Sequence, residues 1–330
     1  MKNILNNLFE HKRLTKEQAA TILTDIAMGK YNEQQVASFI TVFAVRGIEP
    51  AELAGFVSAM QALCVTVDLD GHQTIDMCGT GGDGKDTFNV STLASFIIAG
   101  AGVRVAKHGN YGLSSNCGSS TVLESMGHKF SSNQGDLRRD LDKSGICFMH
   151  APLFHPAMKF VGPIRKSLGF KTFFNMLGPL INPSSPAMQS VGVFNLEVAR
   201  LYKYVLDESG IRFNIIHSLD GYDEISLTGQ FKLTTNTSER FLSPSDLGLQ
   251  QVRPEEIRGG DTVAGSVDIF RRILENKGTR AQTDVVLANA ASGLSCARPG
   301  VSLIDCVAEA RESLVSGRAN NALVTLLSLH

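Results

Sequence analysis

The 330-residue sequence has almost no net charge. Its 31 Lys and Arg residues are balanced by 32 Asp and Glu residues, so the formal charge is -1 at pH 7. A chain with this balance has no overall positive field to hold a polyanion without specificity. The composition therefore argues against nucleic acid as a partner. Hydrophobic residues make up 43% of the chain, which is enough for a conventional globular core.

The sequence also lacks a paired cysteine motif and a secretory signal. Its six cysteines are scattered, without a Cys-x-x-Cys pair, at Cys64, Cys78, Cys117, Cys147, Cys296 and Cys306. Such spacing in mostly apolar surroundings predicts free thiols in a reducing compartment. The N-terminal residues MKNILNNLFEHKR carry charges where a signal would need a long apolar region. We expect a cytoplasmic protein.

Long apolar runs of the kind that cross membranes are missing too. Residues 172–196 carry no charge, but three prolines and two glycines interrupt them. These breaks exclude a continuous membrane-spanning helix. We predict no contact with a membrane.

The apolar spacing divides the chain into two parts. Up to about residue 70 it is helical, with capping boxes at Thr15-x-x-Gln18 and Asn32-x-x-Gln35 and with Pro50 near a helix start. From Gln73 onward, short apolar runs such as TIDM, VRVA and FNIIHSL alternate with glycine loops and helical stretches, which is typical of parallel βα units. The predicted fold class is α/β with a smaller all-α domain.

The most informative segment is DMCGTGGDGKDTFNVST, residues 76–92, which leads from a predicted strand through glycines into a helix. Glycine permits positive φ and lets backbone N–H groups approach an anion. Asn89, Ser91 and Thr92 lie where the next helix should begin and its N–H groups are unpaired. The segment is neither a P-loop nor a GxGxxG fingerprint, so it predicts a phosphate ligand other than ATP or a dinucleotide.

A second polar segment, KHGNYGLSSNCGSS, covers residues 107–120 after a predicted strand at residues 103–106. It offers a point charge at Lys107 and many neutral donors, a combination that suits pyrophosphate. Lys107 alone would be interpreted as a solvated surface lysine.

The third segment, DGYDEIS, follows the apolar run of residues 213–219 and carries the adjacent carboxylates Asp223 and Glu224. Carboxylate oxygens suit Mg²⁺, which usually keeps waters and bridges to substrate phosphates. An acidic pair by itself is usually a solvated turn. The two phosphate segments make the metal site the better interpretation.

Arginine and histidine add two weaker signals. Arg165 follows Gly162-Pro163 and can hold a carboxylate through two hydrogen bonds, although a surface arginine is the alternative. We assign no chemistry to His108, His150 or His155, because lone histidines are more often structural.

These segments, in this order, closely resemble the anthranilate phosphoribosyltransferase family. The shared motifs are CGTGGDG, TFNVST, KHGN, the GSS before VLE, and DGYDEISLTG, and residues 154–183 are similar as well. The resemblance covers nearly the whole chain. It implies transfer of the phosphoribosyl group of phosphoribosyl pyrophosphate (PRPP) to the amine of anthranilate, with release of pyrophosphate, in tryptophan synthesis.

The resemblance also implies an architecture. Residues 1–70, joined by part of about 155–185, form a helical bundle domain hinged to an α/β domain of residues 71–330. This second domain has a mostly parallel central sheet flanked by helices. The active site lies between the domains, and a homodimer forms through the helical domains.

The resemblance further assigns ligands to particular residues. PRPP is held by Gly79, Gly82, Asp83, Thr87, Asn89, Val90, Ser91, Thr92, Lys107, Ser115 and Ser119. Anthranilate is positioned by Gly79, Asn110 and Arg165, and the arginine matches its carboxylate. Two Mg²⁺ ions per subunit are held by Ser91, Asp223 and Glu224. Lys107 acts electrostatically, and no general base is assigned, since the aromatic amine is already unprotonated at neutral pH.

Three positions depart from the commonest family pattern. Tyr111 stands where an arginine is usual, Cys117 where a serine is usual, and Thr121 where an aspartate is frequent. The principal ligand positions are intact. We expect these changes to affect the shape and charge of the anthranilate entrance.

Two functional alternatives come from the same fold. A pyrimidine nucleoside phosphorylase also binds phosphate and ribose, but its loop motifs differ from KHGN. A non-catalytic nucleic-acid-binding relative would need basic surfaces and would tolerate altered ligand positions. A structural dimer with vestigial loops would make several chemical clusters accidental.

Overall fold

The structure, a computed structural model, describes residues 1–112 and 117–330. Its helices are α1 (Lys2–Phe9), α2 (Lys16–Ala27), α3 (Glu33–Arg46), α4 (Pro50–Ala62), α5 (Val90–Gly100), α6 (Ser119–Ser125), α7 (Gln134–Ser144), α8 (Ala151–Phe154), α9 (Met158–Leu168), α10 (Leu196–Ser209), α11 (Val263–Leu274), α12 (Arg280–Ala297), α13 (Leu303–Val315) and α14 (Arg318–Ser328). Its strands are β1 (Ile75–Gly79), β2 (Val105–Gly109), β3 (Ile146–His150), β4 (Met188–Gly192), β5 (Arg212–Ser218), β6 (Phe231–Thr235) and β7 (Glu239–Leu242).

Helices α1 to α4 form the N-terminal helical region. The predicted capping boxes at Thr15 and Asn32 are present, and Pro50 is the first residue of α4. An aromatic cluster lies in the core of this region. Phe173, from the segment between α9 and β4, stacks on Phe56 with 4.5 Å between ring centroids. Val161 and Ile164 of α9 belong to the same core, so α9 and the segment after it are packed onto the helical region.

The strands form one seven-stranded sheet in the order β3-β2-β1-β4-β5-β6-β7. Strands β1 to β5 are parallel to one another, while β6 pairs antiparallel with both β5 and β7. The predicted mostly parallel sheet is confirmed. Ile75 and Met188 belong to a core shared with α5, α12, α13 and α14. Val191, Phe213 and Ile215 belong to another core, shared with α10 and the helical region.

The prediction for the second strand was wrong about its bounds. We expected residues 103–106, but β2 is Val105–Gly109 and includes Lys107 and His108. These two residues pair in parallel register with Phe148 and Met149 of β3. The ladder with β3 outweighs the polar character that made Lys107 and His108 look like loop residues.

Two further predictions can be compared with the structure. All six cysteines are free. Within residues 1–112 and 117–330, no helix is both long and apolar enough to cross a membrane. The division of the chain at residue 70 and the hinge stay predictions.

Candidate active site

Several of the predicted ligand residues lie at the ends of β1 and β4, where the order of the strands in the sheet reverses. Strands β1 and β4 are neighbours, and β2 and β5 lie on either side of them. In open α/β sheets, ligands bind outside the carboxyl ends of the strands at such a switch point. Gly79 and Gly192, the last residues of β1 and β4, are register partners. A Cβ would lie 2.6 Å from Asp223 Oδ2 at Gly79 and 1.4 Å from Asp223 O at Gly192. Both positions need glycine because Asp223 lies across them.

Three carboxylates meet at this point. Asp223 is 7% exposed, and its Oδ2 accepts a hydrogen bond from the Gly81 N–H at 2.7 Å. Glu224 Oε2 accepts one from Thr87 Oγ1 at 3.3 Å. Burial, with the nearby Asp83 charge, raises the pKa of Asp223 to about 7. Burial, with Asp223 and Asp83 beside it, also raises the pKa of Glu224 well above its usual range.

The Lys107 ammonium and these hydrogen bonds offset the charge of the cluster only in part, since the pKa of Glu224 is raised despite them. Asp83 Oδ2 is buried and has no hydrogen-bond partner among the described residues. Buried carboxylates held this close favour a cation, and carboxylate oxygens are the ligands that Mg²⁺ prefers. In the part of the chain that is described, no group of three His, Cys, Asp or Glu side chains is placed to hold a metal ion by itself. Waters or substrate oxygens would have to complete the coordination.

The glycine loop after β1 holds unusual backbone angles. Gly81, Gly82 and Gly84 have φ of 66°, 74° and 74°. This conformation is one that side chains rarely adopt. Asp83 Oδ1 accepts a hydrogen bond from the Lys85 N–H at 3.1 Å, which fixes the tip of the loop.

Helix α5 begins beside this loop. Its N-cap is Asn89, whose side chain donates to the Cys117 carbonyl at 2.8 Å instead of capping the helix. The side chains of Val90 and Thr92 are buried in the core, and the Val90 N–H already donates to Phe88 O at 2.7 Å. Ser91 and Thr92 lie in the first turn, where N–H groups have no intrahelical partner. An anion would be met by these backbone groups and by the Ser91 hydroxyl.

Lys107 supplies a buried positive charge. It is 2% exposed, and its Nζ donates to Met77 O and, at 3.4 Å, to Ser91 Oγ. Burial lowers the pKa of Lys107, while the charges of Asp76, Cys78 and Glu224 oppose that change. This ammonium is therefore positioned by β2 directly against the start of α5.

The loop after β2 brings Asn110 and Ser119 together. Asn110 Oδ1 accepts the Tyr111 N–H at 2.8 Å, which leaves its amide hydrogens as donors. The Asn110 carbonyl accepts from Ser119 Oγ at 3.2 Å. Tyr111 donates to Glu124 at 3.2 Å and packs edge-on against His150, with 4.8 Å between ring centroids. Ser115, a predicted PRPP ligand, lies outside the described residues.

Arg165 lies in the last turn of α9, and its contacts are with Phe174 and Asn175. Its Nη2 is 3.5 Å from Asn175 Oδ1, and its guanidinium lies 5.2 Å from the Phe174 ring centroid. Burial lowers the pKa of Arg165. Among the described residues, no carboxylate lies within 4 Å of it. A desolvated arginine of this kind can take a ligand carboxylate.

Sequence reasoning missed the buried residues that join strands β1 and β2 to the segment of residues 155–182, which also contains Arg165. His108 Nδ1 is 3.2 Å from Gly178 O, and its Nε2 is 3.2 Å from His155 Nε2. Asp76 accepts from Asn182 Nδ2 at 2.9 Å and from the His108 N–H at 3.2 Å. Burial raises the pKa of Asp76 to about 6. An aspartate inside an otherwise apolar strand was the signal that could have identified this junction.

Comparisons with known proteins agree over the full length. The profile of the glycosyl transferase family helical bundle domain matches residues 2–64, and that of the glycosyl transferase family a/b domain matches residues 71–320. An anthranilate phosphoribosyltransferase of Flavobacterium johnsoniae is 53% identical over 334 residues, covering 100% of this chain and 99% of its own.

Two solved structures extend the comparison to three dimensions. The anthranilate phosphoribosyltransferase of Thermus thermophilus has a TM-score of 0.92 and 32% identity, covering 98% of each chain. The Saccharomyces cerevisiae enzyme in complex with PRPP and Mg has a TM-score of 0.92 and 26% identity, covering 98% of this chain and 96% of its own.

Proposed function

We propose the reaction of this protein from the premise that the chain belongs to the anthranilate phosphoribosyltransferase family of glycosyl transferases. It transfers the 5-phosphoribosyl group of PRPP to the amine of anthranilate and releases pyrophosphate, a step of tryptophan biosynthesis. The observation that carries this proposal is the acidic cluster of Asp83, Asp223 and Glu224, with the buried Lys107 reaching Ser91 in the first turn of α5.

The donor would bind at the glycine loop and the start of α5. The N–H groups of Ser91 and Thr92, in the first turn of α5, are suited to phosphate oxygens. Lys107 would hold its ammonium near the same oxygens, since it already reaches Ser91 Oγ at 3.4 Å. As the bond to pyrophosphate breaks, negative charge grows on the leaving group, and this fixed positive charge stabilises it.

The acidic cluster fits magnesium. Asp223 and Glu224 would hold it together with Ser91, because a cation there would offset the burial and mutual repulsion that raise the pKa of both carboxylates. When bound, Mg²⁺ neutralises charge on the pyrophosphate leaving group. Two ions per subunit, a homodimer through the helical regions and a cytoplasmic location remain proposals taken from the family resemblance.

The acceptor would bind between Arg165 and Asn110. Arg165 offers the carboxylate of anthranilate a guanidinium that has no ion pair within residues 1–112 and 117–330, and Asn110 offers amide donors because Tyr111 occupies its oxygen. The aromatic amine needs no general base to become a nucleophile. The chain's task at this side is therefore to orient the amine toward the anomeric carbon and to exclude water.

Loss of anthranilate fluorescence on mixing with PRPP, with and without Mg²⁺, tests the proposal. Fluorescence should fall only when protein, PRPP and Mg²⁺ are all present. A folded protein that leaves anthranilate unchanged under these conditions would contradict the assignment. Nucleoside phosphorolysis and nucleic-acid binding would then be assayed.

A further inference from the structure

Lys171 lies in the segment that leads from α9, the helix of Arg165, to the turn Phe173–Met176. Its ammonium donates to the carbonyl of Gly82, in the glycine loop after β1. A Cβ placed on Gly82 would lie 3.3 Å from Lys171 Cε. The lysine side chain therefore lies directly across a residue that is predicted to hold PRPP.

The backbone around Lys171 is fixed on both sides. Gly169, with φ of 70°, ends α9 in the left-handed conformation. The Thr172 N–H donates to Asn175 Oδ1 at 3.0 Å, and the same oxygen is 3.5 Å from Arg165 Nη2. The Lys171 Nζ also lies 5.6 Å from the Phe194 ring centroid. These contacts direct the side chain toward the glycine loop.

The charge of Lys171 is not paired with an acid. Among the described residues, no carboxylate lies within 4 Å of its Nζ. Its hydrogen-bond acceptor is a neutral carbonyl, and a phosphate oxygen forms a stronger, charge-assisted bond with an ammonium. An anion bound at the glycine loop would therefore compete successfully for this lysine.

We propose that Lys171 is a further binding residue for the pyrophosphate part of PRPP, exchanging the Gly82 carbonyl for a pyrophosphate oxygen. This inference rests on the proposed function, because it places PRPP at the glycine loop. It adds a cation from the residues that directly follow α9, the helix on which Arg165 lies. Donor binding would thus engage the part of the chain on which the acceptor's arginine lies.

The test compares Lys171→Met, which removes the charge at similar length, with Lys171→Arg and with Lys166→Met. Lys166 is an exposed lysine on α9 and serves as the matched control. Lys171→Met should raise KM for PRPP about tenfold at low salt and much less at high salt. Lys171→Arg should restore most of the affinity, and Lys166→Met should behave as wild type.

Calorimetry with magnesium pyrophosphate alone gives a measurement that needs no turnover. Wild type and Lys166→Met should bind it equally, and Lys171→Met should bind it about tenfold more weakly at unchanged melting temperature. Equal binding by wild type and Lys171→Met would overturn the inference. If the wild type binds pyrophosphate but does not consume anthranilate, the proposed reaction fails while the role of Lys171 stands.

Discussion

The helical region and the active site both bury charge, but the helical region neutralises it more completely. Glu52 is fully buried, and its carboxylate accepts the N–H groups of Leu14 and Glu49, each at 2.9 Å. The Arg46 guanidinium, 3% exposed, donates to both of its oxygens at 2.5 and 3.0 Å. Each formal charge in this pair has a partner of opposite sign.

The site compensates the same kinds of groups only in part. Asp83, Asp223 and Glu224 lie close together, and burial with mutual repulsion raises the pKa of Asp223 to about 7. Arg165 is largely desolvated and, within residues 1–112 and 117–330, has no carboxylate within 4 Å. A folded protein keeps such groups only where a ligand compensates them. The difference separates charges that serve the fold from charges that serve binding.

The largest effect should come from neutralising the acidic cluster. The double variant Asp223→Asn, Glu224→Gln should lower kcat by about a thousandfold or more, because metal-assisted departure of pyrophosphate is lost. Its free energy of unfolding without Mg²⁺ should hold or rise. The pKa of both carboxylates is raised in the folded state. Wild type therefore loses stability as pH rises from the usual Asp value of 3.8 through about 7, where the buried carboxylates ionise, and the neutral variant does not.

Steady-state kinetics and urea unfolding separate the two consequences. As a control, Asp220→Asn removes a neighbouring acid that stands outside the cluster and should keep full activity. Mg²⁺ should raise the melting temperature of the wild type more than that of the double variant. Full activity in the double variant would remove the metal role of the cluster.

Breaking the pair in the helical region should have the opposite pattern. Glu52→Gln leaves Arg46 buried without its partner, which should cost about 3 kcal/mol of unfolding free energy. The kcat and KM of the folded fraction should stay unchanged. Urea unfolding measures the loss, and Glu49→Gln, at a more exposed position, is the control. A change in KM without a loss of stability would contradict the view that the Arg46–Glu52 pair serves the fold and not binding.

The unpaired arginine comes next in size. Arg165→Ala should raise KM for anthranilate by about thirtyfold and leave KM for PRPP nearly constant, since one charge-assisted contact is removed. Initial rates with each substrate varied in turn distinguish the two. Arg200→Ala, an exposed arginine on α10, should change neither value. An unchanged KM for anthranilate would exclude Arg165 from the acceptor site.

The sequence predicted the parts of this site that depend on local patterns. Capping boxes, the glycine loop and the start of α5 at Asn89 are local features, and the structure has them at the predicted residues. The run of apolar segments was enough to predict a mostly parallel sheet. The roles of Gly79 and Asp223 were implied by the family resemblance, and their close approach is seen only in the structure.

What could not be predicted depends on long-range contacts. Lys107 was placed in a loop because a lysine rarely lies inside a strand, yet pairing with β3 and contact with Met77 O bury it. The bonds of His108 to Gly178 and of Lys171 to Gly82 cross 70 and 89 residues of the chain. Neither residue belongs to a motif that announces its partner. The residues between the donor and acceptor sides were therefore the ones that sequence reasoning missed.

The smallest expected effect concerns the histidine pair that joins these sides. Burial lowers the pKa of His155 from 6.5 to about 4, and burial with the nearby His155 lowers that of His108 to about 3. Because the folded-state values are depressed, the pair's contribution to stability is present above pH 6.5 and lost as pH falls through these values. When the pH falls from about 7.5 to about 5.5, the unfolding free energy of wild type should therefore fall by about 1 kcal/mol more than that of His155→Gln. His11→Asn, at an exposed position, should follow the wild-type curve in urea unfolding across the same range. Parallel curves for wild type and His155→Gln would mean that the pair accepts protons as readily in the folded state as in the unfolded one.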